Sequence, residues 1–269
     1  VEQALARYLS EVRQTAVVQQ PEMEYPSLAE RAMQGAQPGS SAGGEQPKFT
    51  AVAQGHAVLV KFSPAGDSPS DQRSRDLLVC EHLALHTLAQ AGLPAAQTQI
   101  VMADGRVFLQ SQRFDRTAKG RIGMVSLLVY DAQYVGHMDN WSATAERMSA
   151  RQLMTSQDAQ QLQLLEAFGL LIANTDRHYG NISFLLEDDD WRLSPTYDML
   201  PMLYAPVKGE LVERDFAARK LQPTSQTLTV WPQAKQLAQQ FWQSVAADAR
   251  VSDAFKALAL ANEEVVEKL

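Results

Sequence analysis

The stretch 174–200, NTDRHYGNISFLLEDDDWRLSPTYDML, constrains this chain more than any other. It follows directly on an apolar run at 167–173, and structure alone rarely asks for a polar cluster there. Asp176 is followed by four residues and then Asn181. An apolar run at 182–186, an acidic turn at 187–190 and a return at 191–193 read as a β-hairpin leading to Tyr197-Asp198. Metal-dependent phosphoryl transfer needs this order. One carboxylate orients and deprotonates an acceptor hydroxyl, an amide oxygen holds Mg²⁺, and a second carboxylate holds Mg²⁺ against the ATP phosphates. Asp176 reads as the catalytic base, and Asn181 and Asp198 as metal ligands. The plainer reading makes Asp176 a cap, Asn181 a turn residue and Asp198 a cap or turn residue. An Asp-x4-Asn spacing alone is common by chance, and the hairpin with the second Asp lifts it above that.

Upstream, residues 49–53 and 57–62 read as strands joined at Gln54-Gly55-His56. A glycine- and serine-rich stretch, GAQPGSSAGGEQPK at 35–48, feeds this hairpin. It is either a plain linker or a loop that lays backbone N–H groups against phosphates, since glycine permits close approach. Lys61 ends the second strand after Val58-Leu59-Val60, where an ammonium needs a phosphate or carboxylate partner. Residues 71–91 form a helix capped by Ser70 or Asp71, with Glu81 placed either to reach Lys61 or to face solvent. A second hairpin, 97–103 with 106–112, turns at Asp104-Gly105. Four strands with one helix make a small N-terminal lobe, and QRFDR at 112–116 leaves it as a hinge.

Residues 2–20 read as a helix ended by Pro21 and Pro26, with a short capping-box helix from Ser27 to residue 34. After the hinge the chain is mainly helical. Residues 126–134 are ambiguous, 146–154 weakly helical and 157–173 strongly so; 208–229 is irregular, and 233–247 and 252–269 are closing helices. The division is a helix over 1–25, an N-lobe over 26–115 and a C-lobe over 116–269. A start at Val1, without Met and in helix-like sequence, suggests a fragment or processed chain.

Composition narrows the function. A net charge of −7 does not favour nucleic acid or an anionic membrane as a bulk partner. One cysteine, Cys80, excludes an internal disulfide framework and fits a reducing compartment, the cytoplasm. No apolar run near the motif is long enough to span a bilayer. His82 and His86 have a zinc-compatible spacing but no third ligand. Arg113, Arg116, Lys119 and Arg121 either grip a phosphate or form a solvated face, and the acidic turn at 187–190 reads more simply as a hairpin tip. His178 reads as a hydrogen-bonder supporting the loop, because Asp176 already fills the base role.

Six stretches occur together and in order: SSAGGEQPKF (40–49), VLVKF (58–62), CEHLAL (80–85), QRFDR (112–116), NTDRHYGNISF (174–184) and LSPTYDMLP (193–201). In these the chain resembles the HipA-like serine/threonine kinases of bacterial toxin–antitoxin systems, most closely their HipH/YjjJ branch. The resemblance implies an α+β, two-lobed, protein-kinase-like fold with a mixed N-lobe and a helical C-lobe. It implies ATP and Mg²⁺ as cofactors, Asp176 as base, and Asn181 and Asp198 as Mg²⁺ ligands. Nucleotide contacts fall to Lys61, Glu81, Ser41, Ala42, Gly43, Gly44, Gln112, Phe114 and His178. Ser41, or Ser40 beside it, is implied as a regulatory autophosphorylation site, where a phosphate would compete with the nucleotide for backbone donors.

A protein substrate is also implied, since relatives with known targets phosphorylate aminoacyl-tRNA synthetases. So is an antitoxin partner, with DNA binding supplied by that partner or a preceding region. The chain departs from the pattern at Gln112, where many relatives carry Glu, at Pro47, and in lacking the small β-rich subdomain that precedes the loop. Asp-Arg-His-x-x-Asn also resembles the loop of phosphoinositide-type kinases, so a small-molecule or lipid kinase is the rival enzyme. An ATP-binding module in a repressor complex is the rival without catalysis.

Overall fold

The computed structural model describes residues 15–35, 46–118 and 120–269. Strand β2 (Lys48–Ala53) buries alternate residues Phe49, Ala51 and Ala53 on one face, the period-two pattern of a half-buried strand. It turns into β3 (His56–Phe62) through Gln54 and Gly55, both at positive φ (52° and 82°). That is the backbone twist a two-residue hairpin turn requires. Strands β4 (Thr98–Ala103) and β5 (Arg106–Gln112) repeat the device at Asp104-Gly105.

The sheet has five strands rather than four. Residues Ala16–Val18, expected to be helical, form β1 and pair in parallel with β2, giving the order β1-β2-β3-β5-β4. The rest of the expected helix, residues 2–14, lies outside the described residues. Helix α1 spans Pro21–Met33, so Pro21 and Pro26 do not end a helix. Pro21 opens α1, where its missing N–H is not needed, and Glu24 Oε1 accepts the free N–H groups of Gln19 and Gln20 at 2.8 and 2.7 Å. Pro26 sits inside, and burial of Tyr25, Leu28 and Ala29 against Phe49, Phe62 and Phe108 offsets the lost hydrogen bond.

Helix α2 (Pro69–Gln90) starts earlier than expected. Ser68 is its N-cap in a reciprocal capping box with Asp71. It lies between the sheet and the helical half, and its Leu77, Leu78, Leu85 and Leu88 belong to one large core with Val107 and Leu109 of β5 and with the later helices. After β6 (Arg116–Thr117), β7 (Gly120–Arg121) and β8 (Met124–Ser126) come α3 (Leu127–Tyr134), α4 (Trp141–Ala150) and α5 (Ser156–Leu171). The ambiguous 126–134 segment is α3, and the weakly helical 146–154 segment is shifted upstream into α4, capped by Asn140. Strands β9 (Ser183–Glu187) and β10 (Asp190–Leu193) form the expected hairpin and join β8 in a three-stranded sheet. The irregular segment 208–229 has no helix or strand, and α6 (Trp231–Ala247) and α7 (Asp253–Glu267, capped by Ser252) close the chain. No helix among the described residues is long and apolar enough to cross a membrane.

Candidate active site

A cleft of about 620 Å³ opens between the five-stranded sheet and the helical half. Lys61, Glu81, Asp176, His178, Asn181 and Asp198 all line it. They come from β3, from α2, from the loop and 3₁₀ turn after α5, and from the segment after β10.

Lys61 is 8% exposed at the end of β3. Its Nζ donates to both carboxylate oxygens of Glu81 at 2.8 Å, so the pairing expected from sequence is present, and it also contacts Asp198 Oδ1. Burial works against the ammonium, but Glu81 and then Asp198 outweigh it and raise its pKa. The two carboxylates share that one cation unequally. Burial pushes Glu81 up despite Lys61. Asp198 is also opposed by burial, yet Lys61, Lys48 and His178 hold it below the ordinary carboxylate value. Lys61 thus serves two carboxylates at once, with burial opposing the charge on both. Its backbone is left-handed (φ 55°), a conformation that Asp and Asn tolerate better than other residues with a Cβ.

The catalytic-loop candidates are set by the end of α5. The helix stops in a Schellman arrangement, with Asn174 N–H on the Gly169 carbonyl at 2.8 Å and Ala173 left-handed at φ 61°. Buried Asn174 accepts the Asp176 N–H at 3.0 Å, and Asn181 Nδ2 donates to the Asp176 carbonyl at 2.9 Å. Asn181 thereby presents its amide oxygen rather than its nitrogen for other use. The Asp176 side chain is half exposed. His178 accepts the Gly180 N–H on Nδ1 at 2.9 Å, the loop-supporting bond expected of it, and its Nε2 lies 3.8 Å from Asp176.

Sequence reasoning missed the supports of this loop. Arg177 donates to Glu166 at 3.0 Å and contacts the Asn174 carbonyl. Glu166 also accepts the Trp141 N–H at 3.0 Å, while Trp141 Nε1 donates to the His178 carbonyl at 3.1 Å. Tyr197 donates to the Gly180 carbonyl at 3.0 Å and meets Ser183 Oγ at 2.7 Å, tying the segment before Asp198 to the 3₁₀ turn. Only the richness of NTDRHYGN in hydrogen-bonding groups hinted at such a frame. Lys48 was missed too, although it pairs across the sheet with Lys61 and stands in the QPKF stretch.

Other expected residues fall elsewhere. Ser40, Ser41, Ala42, Gly43 and Gly44 lie outside the described residues. The described residues that follow them are tied beside Lys61, where Gln46 Nε2 donates to the Phe62 carbonyl at 2.6 Å and Phe62 N–H donates to the Pro47 carbonyl at 3.1 Å. Gln112 and Phe114 do not line the cleft; Gln112 meets His56 at 3.2 Å, and Phe114 packs on Tyr197 at 5.9 Å between ring centroids. Arg113 forks onto the Asp115 carboxylate and Arg116 Nη1 meets the same carboxylate, which explains half of the basic cluster without a ligand. His82 bonds Thr98 at 2.8 Å and stacks on His86. The described residues hold no group of three or more His, Cys, Asp or Glu able to bind a metal. Mg²⁺ favours a sparser set of hard oxygens, with water and phosphate completing its shell, and the Asn181 amide oxygen and the Asp198 carboxylate in one cleft fit that demand.

A family model for the HipA-like C-terminal domain matches residues 40–266. The chain belongs to this family. A HipA-like relative, Toxin YjjJ of Escherichia coli (strain K12), is 40% identical over 251 residues, covering 91% of this chain and 56% of that protein. The chain thus spans about half the length of that curated relative. The HipA of Shewanella oneidensis MR-1, solved with HipB and its operator DNA, superposes with a TM-score of 0.58 at 14% identity, over 90% of this chain and 68% of that one. The Helicobacter pylori proinflammatory kinase CtkA gives a TM-score of 0.56 at 13% identity, over 85% of this chain and 90% of that one. The HipA-like chain therefore has a mixed α/β, kinase-like fold.

Proposed function

We propose that this chain is the catalytic unit of a HipA-like toxin kinase, moving the γ-phosphoryl group of ATP to a serine or threonine hydroxyl of a protein. The observation that carries the reading is the convergence of Lys61, Glu81, Asp176, Asn181 and Asp198 from four separate segments into one cleft. Asp176, half exposed and held at its backbone from both sides, accepts the hydroxyl proton. Lys61, oriented by Glu81, would meet the nucleotide phosphates. Asn181 and Asp198 would hold Mg²⁺, which neutralises charge on the transferring phosphates. Ser41, or Ser40, is the proposed autophosphorylation site, in the segment that enters β2 beside Lys61. An aminoacyl-tRNA synthetase is the proposed class of target, an antitoxin the proposed partner and the cytoplasm the proposed place of action.

The test is incubation of the purified chain with Mg²⁺ and γ-labelled ATP, alone and with cell extract, beside Asp176→Asn. Label on residues 35–48 or on an extract protein, lost in the variant, supports the reading. Label only on a lipid or small alcohol moves the assignment to a small-molecule kinase. Nucleotide binding without transfer moves it to a binding module.

A further inference from the structure

Helix α2 is fastened on two sides, and only one of them belongs to the cleft. Glu81 meets Lys61 there. Asp76, five residues earlier, is 1% exposed and points to the start of α7. Its Oδ1 accepts the Ser252 N–H at 2.9 Å and its Oδ2 accepts the Ser252 hydroxyl at 2.7 Å. Ser252 Oγ in turn accepts the Phe255 N–H at 3.3 Å, so one serine caps α7 and grips α2. Gln72 Nε2 completes the shell of the carboxylate at 3.1 Å. The Asp76 carboxylate also stands at the positive end of the α7 dipole.

One turn earlier on α2, Arg73 donates to the Tyr204 carbonyl at 3.2 Å and lies over the Phe255 ring at 5.0 Å. Every one of these partners except Gln72 belongs to the C-terminal helical half. At about 100° per residue, Asp76 and Glu81 project from sides of α2 roughly 140° apart. A rotation or outward slide of α2 that separates Glu81 from Lys61 therefore breaks the Asp76–Ser252 grip.

We infer that Asp76 is a positioning residue: through Ser252 it locks α2 to α7 and thereby holds the Glu81–Lys61 contact in place. The inference deepens the kinase reading above, because it says what keeps the lysine ready. It makes the placement of Glu81 a property of the helical half rather than of the sheet.

The experiment reads Lys61 without nucleotide, so it stands even where that reading fails. Wild type, Asp76→Ala, Asp76→Asn and Ser252→Ala are exposed briefly to an amine-reactive ester, and each lysine is quantified by mass spectrometry. Circular dichroism and melting check the fold. The expected result is a several-fold rise in labelling of Lys61 in Asp76→Ala and Ser252→Ala, a smaller rise in Asp76→Asn, and no change at the exposed Lys220, away from α7. In a Glu81→Gln background, where the held contact is already weakened, Asp76→Ala should add little. Unchanged Lys61 labelling in folded Asp76→Ala or Ser252→Ala overturns the inference. So does an equal rise at all lysines, which marks general loosening. Where Asp76→Ala does not fold, Ser252→Ala decides. If Lys61 responds as expected while no variant, nor wild type, transfers phosphate, the lock stands and the kinase assignment falls.

Discussion

Asn181 Nδ2 bonds the carbonyl of Asp176 at 2.9 Å, so the amide that would hold the metal also braces the carboxylate that would take the proton. The two roles are mechanically coupled. Asp176→Asn removes the base but leaves that brace and the Asn174 bond intact, since both use backbone groups of residue 176. Transfer should fall by about 10²–10⁴-fold, the usual share of a positioned base. The melting curve should stay close to wild type, because the side chain is half exposed. Turnover retained in this variant would remove Asp176 from the mechanism.

Among the described residues, Lys61 is the cation that hydrogen-bonds Glu81. Lys61→Met leaves that buried carboxylate without its counter-charge, a loss of about 3–5 kcal/mol. Glu81→Gln should cost less, since Lys61 still contacts Asp198. Without Lys61, the raised Glu81 pKa climbs further above its ordinary 4.5, and the folded state then holds a proton that the unfolded state releases. The stability gap between Lys61→Met and wild type should therefore narrow as pH falls from neutral towards about 4.5, the ordinary carboxyl value. Urea titrations at the two pH values measure it.

His82 gives the intact protein its own acid sensitivity. Burial, aided by Arg250 and His86 against Asp248, lowers its pKa from 6.5 to about 4. Between those values the unfolded chain binds the proton and the folded one does not, so stability present above pH 6.5 is lost as pH falls towards 4. The loss should reach about 1–2 kcal/mol, allowing for water that reaches the ring. His82→Gln should flatten this part of the pH profile; an unchanged profile would assign the sensitivity to other groups.

Gly169 lies inside α5, where helix propensity alone predicts that alanine would stabilise by roughly 0.5–1 kcal/mol. A methyl there would sit 2.7 Å from Arg177 Cδ. Arg177 cannot swing aside freely, because Glu166 and the Asn174 carbonyl hold its guanidinium. Gly169→Ala should lower both the melting temperature and the transfer rate. A rise in melting temperature would show that Arg177 yields without cost.

The hairpins were legible because their turns are local. Asp104, Gly105 and Gly55 adopt the positive φ their residue types favour, Gln54 follows the turn its glycine sets, and alternation fixed which faces are buried. The pairing of Lys61 with Glu81 was legible because a lysine in an apolar strand needs a partner. The first strand was not. Residues 16–18 follow a helix-like pattern, and their conformation is decided by the free edge of β2, which no local signal reveals. Nor could spacing reveal Glu166, Trp141 or Tyr197, since each supports the loop through backbone carbonyls or N–H groups far along the chain. The side chains of the hinge residues Gln112 and Phe114 meet His56 and Tyr197, contacts that spacing does not reveal either.

The left-handed backbone at Asp198 has a consequence for how this chain can change over generations. Most replacements there would strain the backbone as well as remove the charge, whereas asparagine keeps the same shape. Every aspartate codon becomes an asparagine codon by one base change. A copy that has lost its charge but kept its surface is thus a single mutational step away. That step removes the charge without discarding the fold.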